Sequence, residues 1–232
     1  MSTLLECTGL VKSYDKTTAL NGIDLTIQPG RIVGLLGPNG SGKTTLIKLA
    51  NGLLTPTAGQ VLIEGKAPGR ETHGVVSYLP DRPSLPQWMT TDQLQDFYAD
   101  FFPDFDRARC REMLEQLELP AHRKLKDLSK GSREKVQLVL TMSRQARLYL
   151  LDEPMGGVDP AARDFILETI LQNYDPEAAV VIATHLIADV EKVLDEVIFL
   201  DQGSVALHAS VDDLREESGK SVDALFREVF RY

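Results

Sequence analysis

Cysteine is scarce in this chain. Cys7 and Cys110 are the only two, far apart and in no metal-ligand spacing. That excludes a disulfide framework and fits a reducing compartment, with both thiols acting as small apolar groups. Long apolar runs are missing as well: no window approaches the roughly 18 consecutive apolar residues of a membrane span. Met1 to Thr8 lacks the charged start and apolar stretch of a secretory leader, so none is expected. If the chain serves a membrane process, another chain must cross the bilayer. Positive charge is in deficit, with 25 Lys and Arg against 34 Asp and Glu and a formal net charge of −9. A surface devoted to nucleic acid needs clustered cations, so nucleic acid is not an expected partner. Aromatics are few and unevenly spread: Trp88, Phe97, Tyr98, Phe101, Phe102 and Phe105 crowd one short stretch. They fit either the core of a small helical unit or an exposed socket for a partner helix.

The chain is organised around a glycine loop. Gly37-Pro38-Asn39-Gly40-Ser41-Gly42-Lys43-Thr44-Thr45 fits G-x-x-x-x-G-K-[ST]. The apolar run Ile32 to Leu36 before it reads as a buried strand, and Leu46, Ile47, Leu49 and Ala50 after it as a helix. Glycines let the backbone turn its N–H groups inward, and those groups with the positive helix end cradle an anion. Lys43 adds a point charge for the β- and γ-phosphates, and Thr44 a hydroxyl for Mg2+.

Around the loop, short strands are expected at Leu4 to Leu10, Gly22 to Ile27, Val61 to Ile63 and Val75 to Leu79. Helical signals run from Thr91 to Lys126, with caps at Thr90, Thr91 or Asp92 and at Asp104 or Asp106. The stretch Asp127 to Lys135 is expected to open a long helix reaching about Arg144, followed by strands at Arg147 to Glu153 and Val180 to Thr184. The helix after His185 is expected to run from Leu186 to Leu194, before a hairpin around Asp201-Gln202-Gly203 and an amphipathic tail helix through Phe226 and Phe230. The expected fold is therefore α/β with an antiparallel β layer and an inserted helical subdomain, and its core resembles a P-loop NTPase of RecA-like type. The expected division is a single domain over 1–232, with residues 1–84 and 146–232 as core and 85–145 as the helical subdomain.

Asp152 and Glu153 end an apolar strand, at the edge where sites gather in open α/β sheets. Asp152 suits the shell of Mg2+ and Glu153 a general base for water; two acids there also fit a helix cap or solvated turn. His185 ends a strand directly and can contact a γ-phosphate. Tyr14, ahead of the loop, offers a π-face to adenine. Ser129-Lys130-Gly131 at a helix start reads as a second anion site or as a capped surface helix. One triphosphate needs no second anion site in the same chain, so a head-to-tail dimer sharing each nucleotide is the economical reading.

The chain resembles the nucleotide-binding subunit of an ATP-binding cassette (ABC) transporter over nearly its whole length. Gly37 to Thr44 matches Walker A, and Leu150-Leu151-Asp152-Glu153 the end of Walker B. Leu128-Ser129-Lys130-Gly131-Ser132 resembles the signature Leu-Ser-Gly-Gly-Gln, Gly157-Val158-Asp159 the D-loop, and Thr184-His185 the switch histidine. Asp81 stands where the family has glutamine; it is acceptor-only but can still reach Mg2+ or its water. The Ser-Lys-Gly variant resembles bacterial exporters with separate membrane subunits. The resemblance implies an Mg2+-dependent ATPase, paired with its own copy or a paralogous subunit and bound to a transmembrane permease. It implies a cytoplasmic protein held peripherally at the inner membrane face. The alternative is a cytosolic ABC ATPase acting in assembly.

Overall fold

The computed structural model describes residues 3–156, 158 and 160–230, with only the backbone of 160–162. In chain order the strands are β1 (Leu5–Tyr14), β2 (Thr17–Ile27), β3 (Ile32–Leu36), β4 (Ala58–Ile63), β5 (Val76–Leu79), β6 (Leu148–Asp152), β7 (Ala179–Thr184), β8 (Glu196–Asp201) and β9 (Ser204–Ser210). The helices are α1 (Lys43–Ala50), α2 (Thr91–Phe101), α3 (Arg107–Gln116), α4 (Lys130–Met142), α5 (Pro160–Gln172), α6 (Ile187–Val190), α7 (Val211–Ser218) and α8 (Val222–Phe230).

Two sheets result. The larger has the order β5-β6-β7-β3-β8-β9, parallel except for the β8–β9 hairpin. Every residue of β3, β6 and β7 is buried, which is why these strands read as unbroken apolar runs. The register aligns their carboxyl ends: Leu36 lies beside Thr184, Asp152 beside Ala183, and Leu79 beside Leu151. The smaller sheet, β2-β1-β4, is antiparallel. One apolar core, with Leu10, Ile23, Leu46 and Val181, fills the space between the sheets around α1. The other, with Leu94, Met113, Val139, Ile182 and Phe226, runs from the helical region across the opposite face of the large sheet.

Residues 85–145 hold α2, α3 and α4 and no strand of either sheet. Thr90 caps α2 with Gln93 in a reciprocal capping box, and Asp106 caps α3. The aromatic cluster divides between core and surface. Phe105 is buried, Tyr98 and Phe102 pack partly buried beside it, and Trp88 and Phe101 are 65% and 66% exposed. Arg144 lies under the ring of Phe102, 4.0 Å from its centroid, and ties Asp104 to the carbonyls of Val76 and His73.

Several boundaries differ from expectation. β1 and β2 run on to Tyr14 and back from Thr17, because polar residues continue the hairpin beyond its apolar part. α4 stops at Met142; the Ser143 hydroxyl bonds back to Val139 O, and Arg144 turns inward. α6 ends at Val190 rather than Leu194, since Asp195 is drawn back to accept from the Ile32 N–H. α7 was not anticipated from the sequence; Ser210 caps it after β9. The tail helix packs on its own domain, with Phe226 and Phe230 against Phe199.

Candidate active site

The loop between β3 and α1 is shaped by two glycines that admit no side chain. Gly42 sits at φ 110°, and a Cβ there would lie 2.7 Å from Ala19 O; a Cβ on Gly37 would lie 2.3 Å from Leu200 O. The loop is also stapled from outside. Ser41 O accepts from Gly203 N in the β8–β9 turn, and Gly203 O accepts from Asn21 N of β2. No side chain caps the start of α1 and no acid stands in its first turn, so its positive end is uncompensated by the chain. The buried Lys43 ammonium donates to Gly37 O at 2.7 Å and Pro38 O at 3.1 Å. Two of its three protons are thus committed to fixing the side chain, and one is left for an anion. Burial draws its pKa down, against the opposing pull of Glu153 and Asp152.

Asp152, at the end of β6, accepts from the Thr44 hydroxyl through Oδ1 at 3.0 Å. Its other oxygen, Oδ2, is buried with no hydrogen-bond partner. Burial pushes this carboxyl up to about 6, with the Thr44 hydrogen bond pulling the other way. A hydroxyl, a carboxylate and an orphaned carboxylate oxygen form a hard-oxygen donor set that fits Mg2+. Among the described residues no cluster of three His, Cys, Asp or Glu is arranged to hold a metal alone. An ion here would complete its shell with water and substrate phosphate.

Glu153 follows with φ 50°, an uncommon conformation for a residue with a side chain. Its backbone is clamped by Glu153 N to Ala183 O and Gly156 N to Glu153 O. Its carboxylate is held from both sides: Thr184 Oγ1 donates to Oε2 and His185 Nδ1 meets Oε1, each at 2.9 Å. An ionised carboxylate only accepts, so Nδ1 is the donor in that contact. A neutral ring in that pose has a bare Nε2, and reaching a phosphate oxygen requires either the imidazolium or a turn away from Glu153.

One cavity is bordered by Asn39, Gly40, Ser41, Gly42, Lys43, Thr44, Thr45, Asp81, Glu153 and His185, together with Ala19 from β2. The topology accounts for this: the loop, Glu153, Asp81 and His185 follow the carboxyl ends of neighbouring parallel strands; Asp152, the last residue of β6, does not border the cavity itself. Tyr14 is not among the lining residues and stands half-exposed at the hairpin end, with Lys12 Nζ 5.1 Å from its ring. Ser129 and Gly131 do not border this cavity either. Ser129 Oγ accepts from Ser132 N at the start of α4, and a Cβ on Gly131 would meet nothing within 4 Å. Asp159 and Gly157 lie outside the described residues.

The family model for the ABC transporter matches residues 20–156, more than half of the chain. The chain belongs to the ABC transporter family. It is similar to the ABC transporter ATP-binding protein YtrB of Bacillus subtilis (strain 168), 30% identical over 218 residues, covering 92% of this chain and 74% of that protein. It is likewise 30% identical over 235 residues to the ABC-type transporter ATP-binding protein EcsA of the same organism, covering 96% and 93%. A solved structure of the ATP-binding subunit of an ABC transporter matches with a TM-score of 0.85 at 28% identity, over 98% of this chain and 100% of that one. The architecture is the P-loop NTPase fold, and the chain is an ABC ATPase subunit. Sequence reasoning missed two of its site's neighbours. Ala19 carries no chemical signal and arrives only because β2 folds over the loop. Thr184 was legible only as the residue before the histidine, and its hydroxyl's target lies 31 residues away in sequence.

Proposed function

We propose that this ABC subunit hydrolyses Mg2+-bound ATP in a pocket completed by a second copy and so drives a separate membrane permease. One observation carries the reading: Lys43, Thr44, Asp81, Glu153 and His185 border a single cavity at the carboxyl edge of the parallel sheet. The amides of Gly37 to Thr45, the first turn of α1 and Lys43 bind the phosphates. Thr44 and Asp152 hold the ion, with Asp81 reaching it or its water. When bound, Mg2+ neutralises charge on the β- and γ-phosphate oxygens. Glu153 takes the proton of the attacking water, His185 faces the γ-phosphate, and Tyr14 stacks on adenine. No helix among the described residues is long and apolar enough to cross a membrane, in keeping with a peripheral subunit held at the inner face by its permease.

Ser129 and Gly131 act in trans on the nucleotide held by the partner's loop. The open space around Gly131 supports this, because nothing within the chain requires glycine there. The partner is a second copy or a paralogous ATPase subunit. We read residues 85–145 as a helical subdomain whose exposed aromatics meet the permease. A groove lined by Leu53, Tyr78, Tyr98 and Phe102 runs between that region and the core, with Leu53 58% exposed at its rim. The names of the relatives favour transport over a cytosolic assembly role. A polytopic partner co-purifying from detergent extract agrees with it, and soluble partners alone would reject it. Glu153→Gln tests the chemistry: phosphate release falls roughly 10²–10⁴-fold while ATP binding persists. ATP then holds the variant as a dimer on a sizing column, since a ligand bound only by the closed form stabilises it. Monomer at saturating Mg2+ and ATP would reject the shared pocket.

A further inference from the structure

Glu153 is gripped from two sides by groups of very different mobility. His185 is 48% exposed in its side chain, whereas Thr184 is fully buried at the end of β7. Thr184 has one hydroxyl proton, and its direction is decided. Leu186 N donates to Thr184 Oγ1 at 3.0 Å, which occupies the acceptor side, so the proton points at Glu153 Oε2, 2.9 Å away. The neighbouring residue, Ala183, holds the Glu153 backbone through its carbonyl. The last two residues of β7 therefore fix both the main chain and the side chain of a residue in a strained conformation.

We infer that Thr184 is a positioning residue for hydrolysis: it anchors Glu153 Oε2 and reserves Oε1 for the attacking water. The assignment rests on Glu153 being the base. His185 shares Oε1 and can turn toward the γ-phosphate; Thr184 cannot turn without leaving the partly buried Leu186 N unpaired. The carboxylate thus keeps its aim when the histidine leaves. In the reaction Oε1 accepts one proton from water as the water oxygen bonds to the γ-phosphorus and the bond to the ADP oxygen breaks. The threonine proton stays where it is.

The test uses Thr184→Val, which keeps shape and removes the donor, and Thr184→Ser, which keeps the donor. We expect Thr184→Val to lower kcat about 10–100-fold, the range for losing a hydrogen bond to a charged group, with KM for ATP within about threefold. Nucleotide affinity, read by the binding of a fluorescent ATP analogue without turnover, stays unchanged. Thr184→Ser restores kcat to within about threefold. Adding Thr184→Val to Glu153→Gln produces no further loss, because the anchored carboxylate is already gone. If Thr184→Val does not fold, Thr184→Cys, a weak donor of similar size, must fall between serine and the glutamine variant of Glu153. Full activity in Thr184→Val, equal losses in valine and serine variants, or a raised KM with unchanged kcat would overturn the assignment. A Glu153→Gln protein that hydrolyses normally would instead overturn the reading of the base.

Discussion

Helices α1 and α4 each begin at a turn containing serine and glycine, and their first turns are built in opposite ways. At α1, Gly42 has the left-handed backbone, no side chain caps the helix, and the buried Lys43 is braced by two loop carbonyls. The glycines there are demanded by neighbouring backbone, and the turn is stapled to β2 and the β8–β9 turn. At α4, Ser129 is exposed and caps its own helix, and Gly131 adjoins nothing that a side chain would strike. One turn is a finished anion cradle whose every constraint comes from the same chain. At the other, no contact among the described residues calls for glycine. In an α-helix, glycine costs about 0.5–1 kcal/mol relative to alanine, so its place in α4 is a local loss without local return.

Substitutions can separate the two ends. The largest effect is expected from Lys43→Ala, which should weaken ATP binding by the isolated chain about 100-fold or more, because it strips a buried charge from the cradle. Titration with a fluorescent nucleotide checks it; near-native affinity would mean that the cradle is not the binding site. Gly131→Leu should leave that affinity and the fold intact, even raising stability by about 0.5–1 kcal/mol, while cutting hydrolysis about 100-fold. If it hydrolyses ATP normally, the contrast between the two helices has no functional meaning.

Asp152→Asn sharpens the account of the cradle end. Burial holds the Asp152 carboxyl at about 6, above its ordinary 3.8. Between those values the folded chain binds the proton that the unfolded chain has released, so stability falls as pH rises from about 4 to 6 and stays lowered above. The asparagine variant, without nucleotide, should therefore melt roughly 6–12 °C higher at pH 7.5 and lose that advantage toward pH 4. A difference independent of pH in thermal melts would refute the cause. A smaller effect on stability is expected from Ser129→Ala: loss of the α4 cap should cost about 1 kcal/mol, lowering the melting temperature by about 2–4 °C. Nucleotide affinity of the isolated chain should not change.

The cradle was legible in the sequence because its rules are local. Glycines at fixed offsets, one lysine and an apolar run on either side specify a strand, loop and helix without reference to the rest of the chain. The acids and His185 were legible because Asp152 ends a buried strand and Glu153 and His185 directly follow one. What stayed hidden depends on distant pairs. Thr184 matters through Glu153 and Leu186, Ala19 through the fold of a hairpin, and Gly203 through Ser41. The split of the aromatic cluster was equally hidden: Phe101 and Phe102 are adjacent, and only the path of α2 decides which faces water.

The staple from Gly203 to Ser41 sets a timetable for the newborn polypeptide. β3 lies between β7 and β8, and its first N–H is held by Asp195, 163 residues further on. While the ribosome is still making the middle of the protein, the segment that will grip phosphate has neither its flanking strands nor its brace. Such long-range closure is slow, and it leaves the early apolar strand waiting for partners not yet translated. Truncation anywhere before Gly203 should therefore yield a product unable to hold nucleotide, however complete its glycine motif.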